Sequence, residues 1–366
     1  MTLPEPPNDD QMLVDDLVSV LLPIVGAPPP PFELDALQGD ASSRRYFRLR
    51  FANAVREPII AMRLPIEALK SDEIGDSTET ELPFLQIASL LERANIPVPK
   101  VLGHDLAKRL VLLEDLGDTT LESKLRQTPR SEWREIYRSA VELLAAMHQS
   151  SSSFSATSLP NRRRFEESLL RWELDHFAEW GLEPDRAPLD ETQYANIRNE
   201  FDALALSIAK LPTGFVHRDY QSKNIMIDHL GAYRIIDFQD AFTGPRVYDL
   251  VALLCDSYVA LDLEFQREMI GVYANARRID AAELESEFWL VALQRKLKDA
   301  GRFVFIDRVR GNPRFLQWYP QSIVYVGRAL NQVGGNPQLR KALSERIEGF
   351  AQEVSVPRAQ TGRFRE

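Results

Sequence analysis

One cysteine, Cys255, is all the thiol that this 366-residue chain carries. No intrachain disulfide and no cysteine-built zinc site can form, and a lone cysteine of this kind reads as a small buried hydrophobe. Positive charge is also in short supply: 44 Lys and Arg stand against 54 Asp and Glu, a net charge of -10. That balance does not suit a protein whose affinity rests on phosphate backbones, so nucleic acid is not an expected partner. Nowhere does the chain sustain the roughly 20 apolar residues that a bilayer-crossing helix needs. Its start, Met1 to Asp10, is proline-rich and acidic and lacks the basic lead and apolar run of a secretory signal. No membrane association and no protein partner are expected, and a cytoplasmic location follows by default. What is present, 44% hydrophobic and 27% charged residues, is ordinary globular composition. At this length one core usually gives way to two, so a folded chain of two lobes is expected.

Along the chain, Asn8 or Asp9 can cap an amphipathic helix carrying Met12, Leu13, Leu17 and Leu21 and ending near Pro23, before the stiff run Pro28 to Pro31. From Phe32 to Leu64 the period falls to two: Phe47, Leu49 and Phe51 alternate with Arg48 and Arg50, and Pro58 to Met62 is a second apolar run. This predicts a small antiparallel sheet. A helix is expected over Leu82 to Arg93, with strands at Pro99 to His104 and Leu110 to Glu114. Beyond Thr119 the character is helical, with candidates at Ser131 to Gln149, Asn161 to Trp180, Glu191 to Leu211, Val247 to Leu261 and Leu284 to Phe305. The composition shift at Asp115 to Asp118 marks the expected lobe boundary.

One β-rich interruption breaks the helical half. Within it stands His217-Arg-Asp219-Tyr-Gln-Ser-Lys-Asn224, followed thirteen residues later by Asp237-Phe-Gln. Phosphoryl transfer from ATP needs a carboxylate near the acceptor hydroxyl and oxygen ligands for a magnesium ion on the phosphates. A loop of the form H-R-D-x-x-x-x-N offers that carboxylate and an amide ligand, and a strand ending in D-F offers the second carboxylate. Any one of these residues alone would read as a turn former or a cap. Three typed positions in this order point to Asp219 as the base and to Asn224 and Asp237 as magnesium ligands, with ATP and Mg2+ as the implied cofactors. His217 reads as a brace for the loop, and Asp249 as its buttress.

These residues resemble the aminoglycoside phosphotransferase and choline kinase superfamily. Within it, the nearest likeness is to the anomeric N-acetylmuramate/N-acetylglucosamine kinases of bacterial cell-wall recycling. The narrower likeness rests on Asp40-Ala-Ser-Ser-Arg-Arg-Tyr-Phe-Arg, Leu112-Leu-Glu-Asp-Leu-Gly, Asp237-Phe-Gln-Asp-Ala, Gly244-Pro and Tyr248-Asp-Leu. It extends to Leu169-Leu-Arg-Trp-Glu-Leu, Phe177-Ala-Glu-Trp and Ala292-Leu-Gln-Arg-Lys-Leu-Lys, so that it spans residues 33 to 330. The resemblance implies an α+β, bilobal protein-kinase-like fold with a small antiparallel β-sheet N-lobe and a larger, mainly helical C-lobe. Residues 1–31 would be an N-terminal helix and linker, 32–115 the nucleotide-binding N-lobe, and 116–366 the C-lobe with the catalytic loop and substrate site.

Carried over by position, Ser42, Ser43, Arg44 and Arg45 would cap the triphosphate, and Glu114 would lie in the hinge, where adenine recognition uses backbone groups. The two arginines could equally sit on a hairpin exposed to water. Arg63 stands where protein kinases carry a lysine, either as a phosphate-facing cation or exposed at a strand end. The glutamate that usually pairs with that lysine is missing: Glu79 and Glu81 come too early and Gln86 is uncharged. For the sugar, the candidates are Glu173, Glu179, Trp180 and Gln239, although Trp180 also suits a core anchor and Gln239 could pin its loop. A lactyl carboxylate could meet Arg171, Arg246 or Arg295. The expected activity is phosphorylation of the anomeric hydroxyl of N-acetylmuramate or N-acetylglucosamine. Its alternatives are a kinase of another small alcohol and, in a different class, an ATP-binding pseudokinase.

Overall fold

The computed structural model describes residues 9–26, 28–37, 44–52, 56–65, 82–182, 189–348 and 350. In chain order its elements begin with α1 (Asp9–Val25), β1 (Phe32–Leu37), β2 (Arg45–Phe51), β3 (Ile59–Arg63), α2 (Pro83–Arg93), β4 (Val101–Asp105) and β5 (Leu110–Glu114). There follow α3 (Leu121–Gln127), α4 (Trp133–Ser150), α5 (Leu159–Arg162), α6 (Glu167–Trp180), α7 (Glu191–Ala209), β6 (Thr213–Val216), β7 (Ile225–Ile227), β8 (Tyr233–Ile235) and β9 (Phe242–Pro245). The chain continues through α8 (Tyr248–Leu254), α9 (Leu263–Arg277), α10 (Ala281–Arg310), α11 (Tyr319–Val333) and α12 (Pro337–Arg346). Two compact units result, residues 1–119 with 226–240 and residues 120–225 with 241–366. Among the described residues, no helix is long and apolar enough to cross a membrane.

In the first unit, five strands form an antiparallel sheet in the order β1-β2-β3-β5-β4. Side chains alternate across it, so Phe47, Leu49, Phe51, Ile59, Ala61, Leu110 and Leu112 share one core with Leu13, Leu17 and Leu21 of α1. Leu17 and Leu21 are fully buried, each burial worth about 1.5–3 kcal/mol, which is why the leading helix folds onto the sheet. The opposite face carries Tyr46 and Arg48, whose partners across the β2–β3 ladder are Met62 and Ile60. The hairpin of β7 and β8 belongs largely to this unit and turns at Asp228. The Asp228 carboxylate accepts from the amides of Leu230 (3.0 Å) and Ala232 (2.9 Å), and Gly231 takes the φ of 80° that a side chain would resist. Beyond β8, Phe238 stacks on Phe84 of α2 at 5.0 Å and fixes the segment that holds Asp237.

The second unit is built around α10. This 30-residue helix is capped by Asp280, whose carboxylate accepts from the amides of Ala282 and Glu283, and it ends at Gly311 with φ 64°. Apolar residues are buried along its length, as expected of a central helix. Against it lies α6, and the close approach depends on Gly301, where a Cβ would sit 2.8 Å from the Phe177 Cα. The expected helix over 161–180 is interrupted. Thr243 of β9 donates its amide to the Arg163 carbonyl (2.8 Å) and accepts from the Phe165 amide (3.0 Å), which separates α5 from α6. The helix from Tyr248 stops at Leu254, before the expected Leu261, and Asp256 takes over there as a hydrogen-bond acceptor.

Candidate active site

In the second unit β6 leads into His217, and the loop that follows is held from below by Asp249. This carboxylate is fully buried. It accepts from the backbone amides of His217 (2.7 Å) and Arg218 (2.9 Å) and meets His148 Nε2 at 3.0 Å. His148 Nδ1 in turn lies 2.6 Å from the Tyr273 hydroxyl, so α4, α8 and α9 all brace one loop. Arg218 adopts a left-handed φ of 83°, a conformation costing about 1–3 kcal/mol that persists only where the surroundings impose it. His217 is itself buried, and its Nδ1 accepts the Asp219 amide at 3.2 Å. Further along, Asn224 Nδ2 donates to the Asp219 carbonyl (2.9 Å). The Ser222 amide and hydroxyl both donate to buried Asp256 (2.8 and 2.6 Å), whose carboxyl burial pushes above the usual range despite those bonds.

Asp219 presents a side chain about one-third exposed (35%), with Arg295 Nη2 3.4 Å from its Oδ1. Burial opposes its ionisation, but Arg295, then Arg218 and Lys298, outweigh burial and hold the carboxyl below its ordinary range. Arg295 also donates to the Arg218 carbonyl (2.9 Å) and lies over the Tyr248 ring at 4.7 Å. One residue earlier on α10, Gln294 Nε2 donates to Glu173 of α6 at 2.8 Å, and Glu173 is only 3% exposed. Glu179 is exposed on another face of α6. Trp180 packs edge-on against Phe305 at 5.3 Å. Arg171 is held by Asp175 and Asp202, and Arg246 by Glu283 and Glu287, both at 2.6 Å.

In the first unit Asp237 has a left-handed φ of 66°. Its Oδ1 accepts from Gln239 Nε2 (2.9 Å), which also donates to Asp240 (3.0 Å), so Gln239 pins this loop. Arg44 Nη1 stands 3.8 Å from the same Asp237 oxygen. Its neighbour Arg45 is exposed and lies over the Phe47 ring at 5.1 Å. Arg63 points toward α1, where it pairs with Asp16 at 3.1 Å, and buried Met62 occupies the opposite face of β3. Glu114 accepts the Lys100 amide (3.1 Å) and lies 3.5 Å from Arg234. Ser42, Ser43, Glu79 and Glu81 lie outside the described residues.

Two contributors were not anticipated from the sequence. Arg48, only 5% exposed, forks onto Asp115 (2.6 and 3.0 Å) and Asp118 (2.8 and 3.1 Å), and so fixes the segment 115–118. In the alternating strand it looks no different from exposed Arg50, and only the long-range partners distinguish them. His148, the partner of Asp249, sits on a helical face that reads as core.

The model of the phosphotransferase enzyme family matches residues 33–286. An N-acetylmuramate/N-acetylglucosamine kinase of Pseudomonas aeruginosa is 30% identical over 82% of this chain and 85% of its own length. The enzyme of that name from Neisseria meningitidis is 29% identical over 81% of this chain and 85% of its own. Among solved structures, the choline kinase LicA of Streptococcus pneumoniae shares the fold at a TM-score of 0.59 and 13% identity, covering 88% of this chain and 100% of that one; LicA has also been solved in complex with AMP. With a buttressed aspartate loop in one unit, an Asp-Phe strand end in the other and this family match across most of its length, the chain belongs to the phosphotransferase enzyme family.

Proposed function

We propose that the chain is an ATP- and magnesium-dependent kinase that phosphorylates the anomeric hydroxyl of N-acetylmuramate and N-acetylglucosamine. The observation that carries this reading is Asp219, kept ionised by Arg295 and fixed through Asp249 and Asn224 on a strained loop. The names of its relatives point to the acceptor, and the AMP complex of a structural neighbour supports nucleotide use. ATP consumption implies the cytoplasm.

In the proposed mechanism, Asp219 receives the proton of the sugar hydroxyl as its oxygen bonds to the γ-phosphorus and the bond to ADP breaks. The hydroxyl is a weak nucleophile, so holding it in line contributes most. Asn224 and Asp237 offer oxygen donors only, as magnesium prefers, and magnesium is commonly held by one or two carboxylates together with substrate phosphates. Asn224 donates its amide nitrogen to the Asp219 carbonyl, and its side-chain oxygen is the atom that would ligate the ion. When bound, the ion supplies charge neutralisation on the phosphates.

Of the cations in the first unit, we assign Arg44 to the phosphates, because it already faces the Asp237 carboxylate whereas Arg63 is taken by Asp16 and Arg45 lies over Phe47. Glu173, oriented by Gln294, is the proposed acceptor of sugar hydroxyls. Purified protein with Mg-ATP and a panel of N-acetylmuramate, N-acetylglucosamine, choline and an aminoglycoside tests the reading. ATP consumption that depends on the two amino sugars is expected; turnover confined to choline or the aminoglycoside, or with none of the four, contradicts it.

A further inference from the structure

N-acetylmuramate differs from N-acetylglucosamine by a lactyl ether that carries a carboxylate. A site serving both must meet an anion with one sugar and tolerate its absence with the other. A cation for this role needs some access to solvent and a counter-ion of its own, so that the neutral sugar does not leave a bare buried charge. Arg295 is committed to Asp219, the Arg218 carbonyl and the Tyr248 ring. Lys296 turns to Ser257 (2.5 Å) and Asp299 (2.8 Å). Arg171 and Arg246 are each held by two carboxylates.

Lys298 is different. It lies three residues after Arg295 and four after Gln294 on α10, the spacings that put side chains on one helical face. On that face Arg295 reaches Asp219 and Gln294 reaches Glu173. The Lys298 side chain is 17% exposed, and its ammonium is 3.5 Å from Asp299, a looser pairing than that of Lys296 with the same carboxylate. Burial opposes its charge, but Tyr248, Glu173 and Asp299 more than offset this and keep it protonated.

Resting on the sugar-kinase reading above, we infer that Lys298 forms a carboxylate subsite beside the acceptor position and is the residue that recognises the lactyl group of N-acetylmuramate. With N-acetylglucosamine it falls back on Asp299 and water. Lys298 is thus a specificity determinant between the two sugars; its influence on the Asp219 carboxyl is common to both and cancels in their ratio.

The test compares kcat/KM for N-acetylmuramate with that for N-acetylglucosamine in the wild type, Lys298→Met and Lys298→Arg, and adds the N-acetylmuramate analogue whose carboxylate is an amide. Losing a charge-assisted contact costs about 10- to 100-fold, so the muramate-to-glucosamine ratio should fall by that factor in Lys298→Met and recover largely in Lys298→Arg. On the wild type the amide should lose a similar factor against the acid, and Lys298→Met should not distinguish the two. An unchanged ratio in Lys298→Met, or equal use of acid and amide by the wild type, overturns the assignment. The wild-type comparison of acid and amide stands even if the methionine variant fails to fold. Failure of the parent reading looks different: the wild type would then phosphorylate neither sugar.

Discussion

At Asp219 burial and charge pull in opposite directions, and Arg295 decides the outcome. A depressed carboxyl pKa contributes stability that is present above the ordinary carboxylate range and is lost as pH falls through the folded value. The same group sets the acid limb of the proposed reaction. Arg295→Met removes the largest of the charges that lower this pKa, so the acid limb of kcat/KM should move to higher pH; a limb that stays in place contradicts this role for Arg295. Asp219→Asn keeps the shape and removes the proton acceptor, and turnover should fall about 100-fold or more with the protein still folded, although the charge paired with Arg295 is lost. Asp237→Ala should act through the metal, raising the magnesium concentration needed for nucleotide binding as well as lowering turnover. Calorimetry giving wild-type Mg-ATP affinity for that variant would remove Asp237 from the metal site. At this scale type and spacing were enough to name Asp219, Asn224 and Asp237 as candidates. The surrounding cations were not legible in this way, because Arg44, Arg45 and Arg63 are told apart only by what stands opposite each one: Asp237, the Phe47 ring and Asp16.

Among the elements, the strand pattern was plain because one face of the sheet is apolar and the period is two. Phe47, Leu49 and Phe51 therefore announced both β2 and the face that α1 covers. Helix boundaries were harder. Residues 163–166 leave the helix to pair with Thr243, some 80 residues away in sequence, and no local periodicity carries that information. Likewise α9 begins at an Asp262 cap only because the chain turns at Asp256, whose carboxylate is engaged by Ser222 and the Tyr258 amide.

Two substitutions test the element-level account. Arg48→Met strands Asp115, whose side chain is 9% exposed, without its counter-ion, and breaking such a pair costs about 3–5 kcal/mol. Urea unfolding of that variant within about 1 kcal/mol of wild type would show the fork to be dispensable. Gly301→Val forces a Cβ against the Phe177 backbone. The overpacking should cost about 1–3 kcal/mol and, by moving α6 on α10, raise the KM for the sugar more than that for ATP.

For the whole molecule, length and composition were enough to expect two folding units, and the order of strands then helices was enough to expect their character. The passage of 226–240 into the first unit was less visible, since short β7 and β8 interrupt a helical stretch and their hydrogen bonds go to Thr119 and Pro97. One hairpin carries the chain from Asn224 to Asp237. The central claim is chemical: this phosphotransferase acts on the anomeric oxygen of an N-acetylated amino sugar. Phosphorus NMR of the product formed from ATP and N-acetylglucosamine tests it most directly. The 1-phosphate, with coupling to the anomeric proton, is the predicted product; a 6-phosphate, or no phosphorylated sugar at all, would contradict the account.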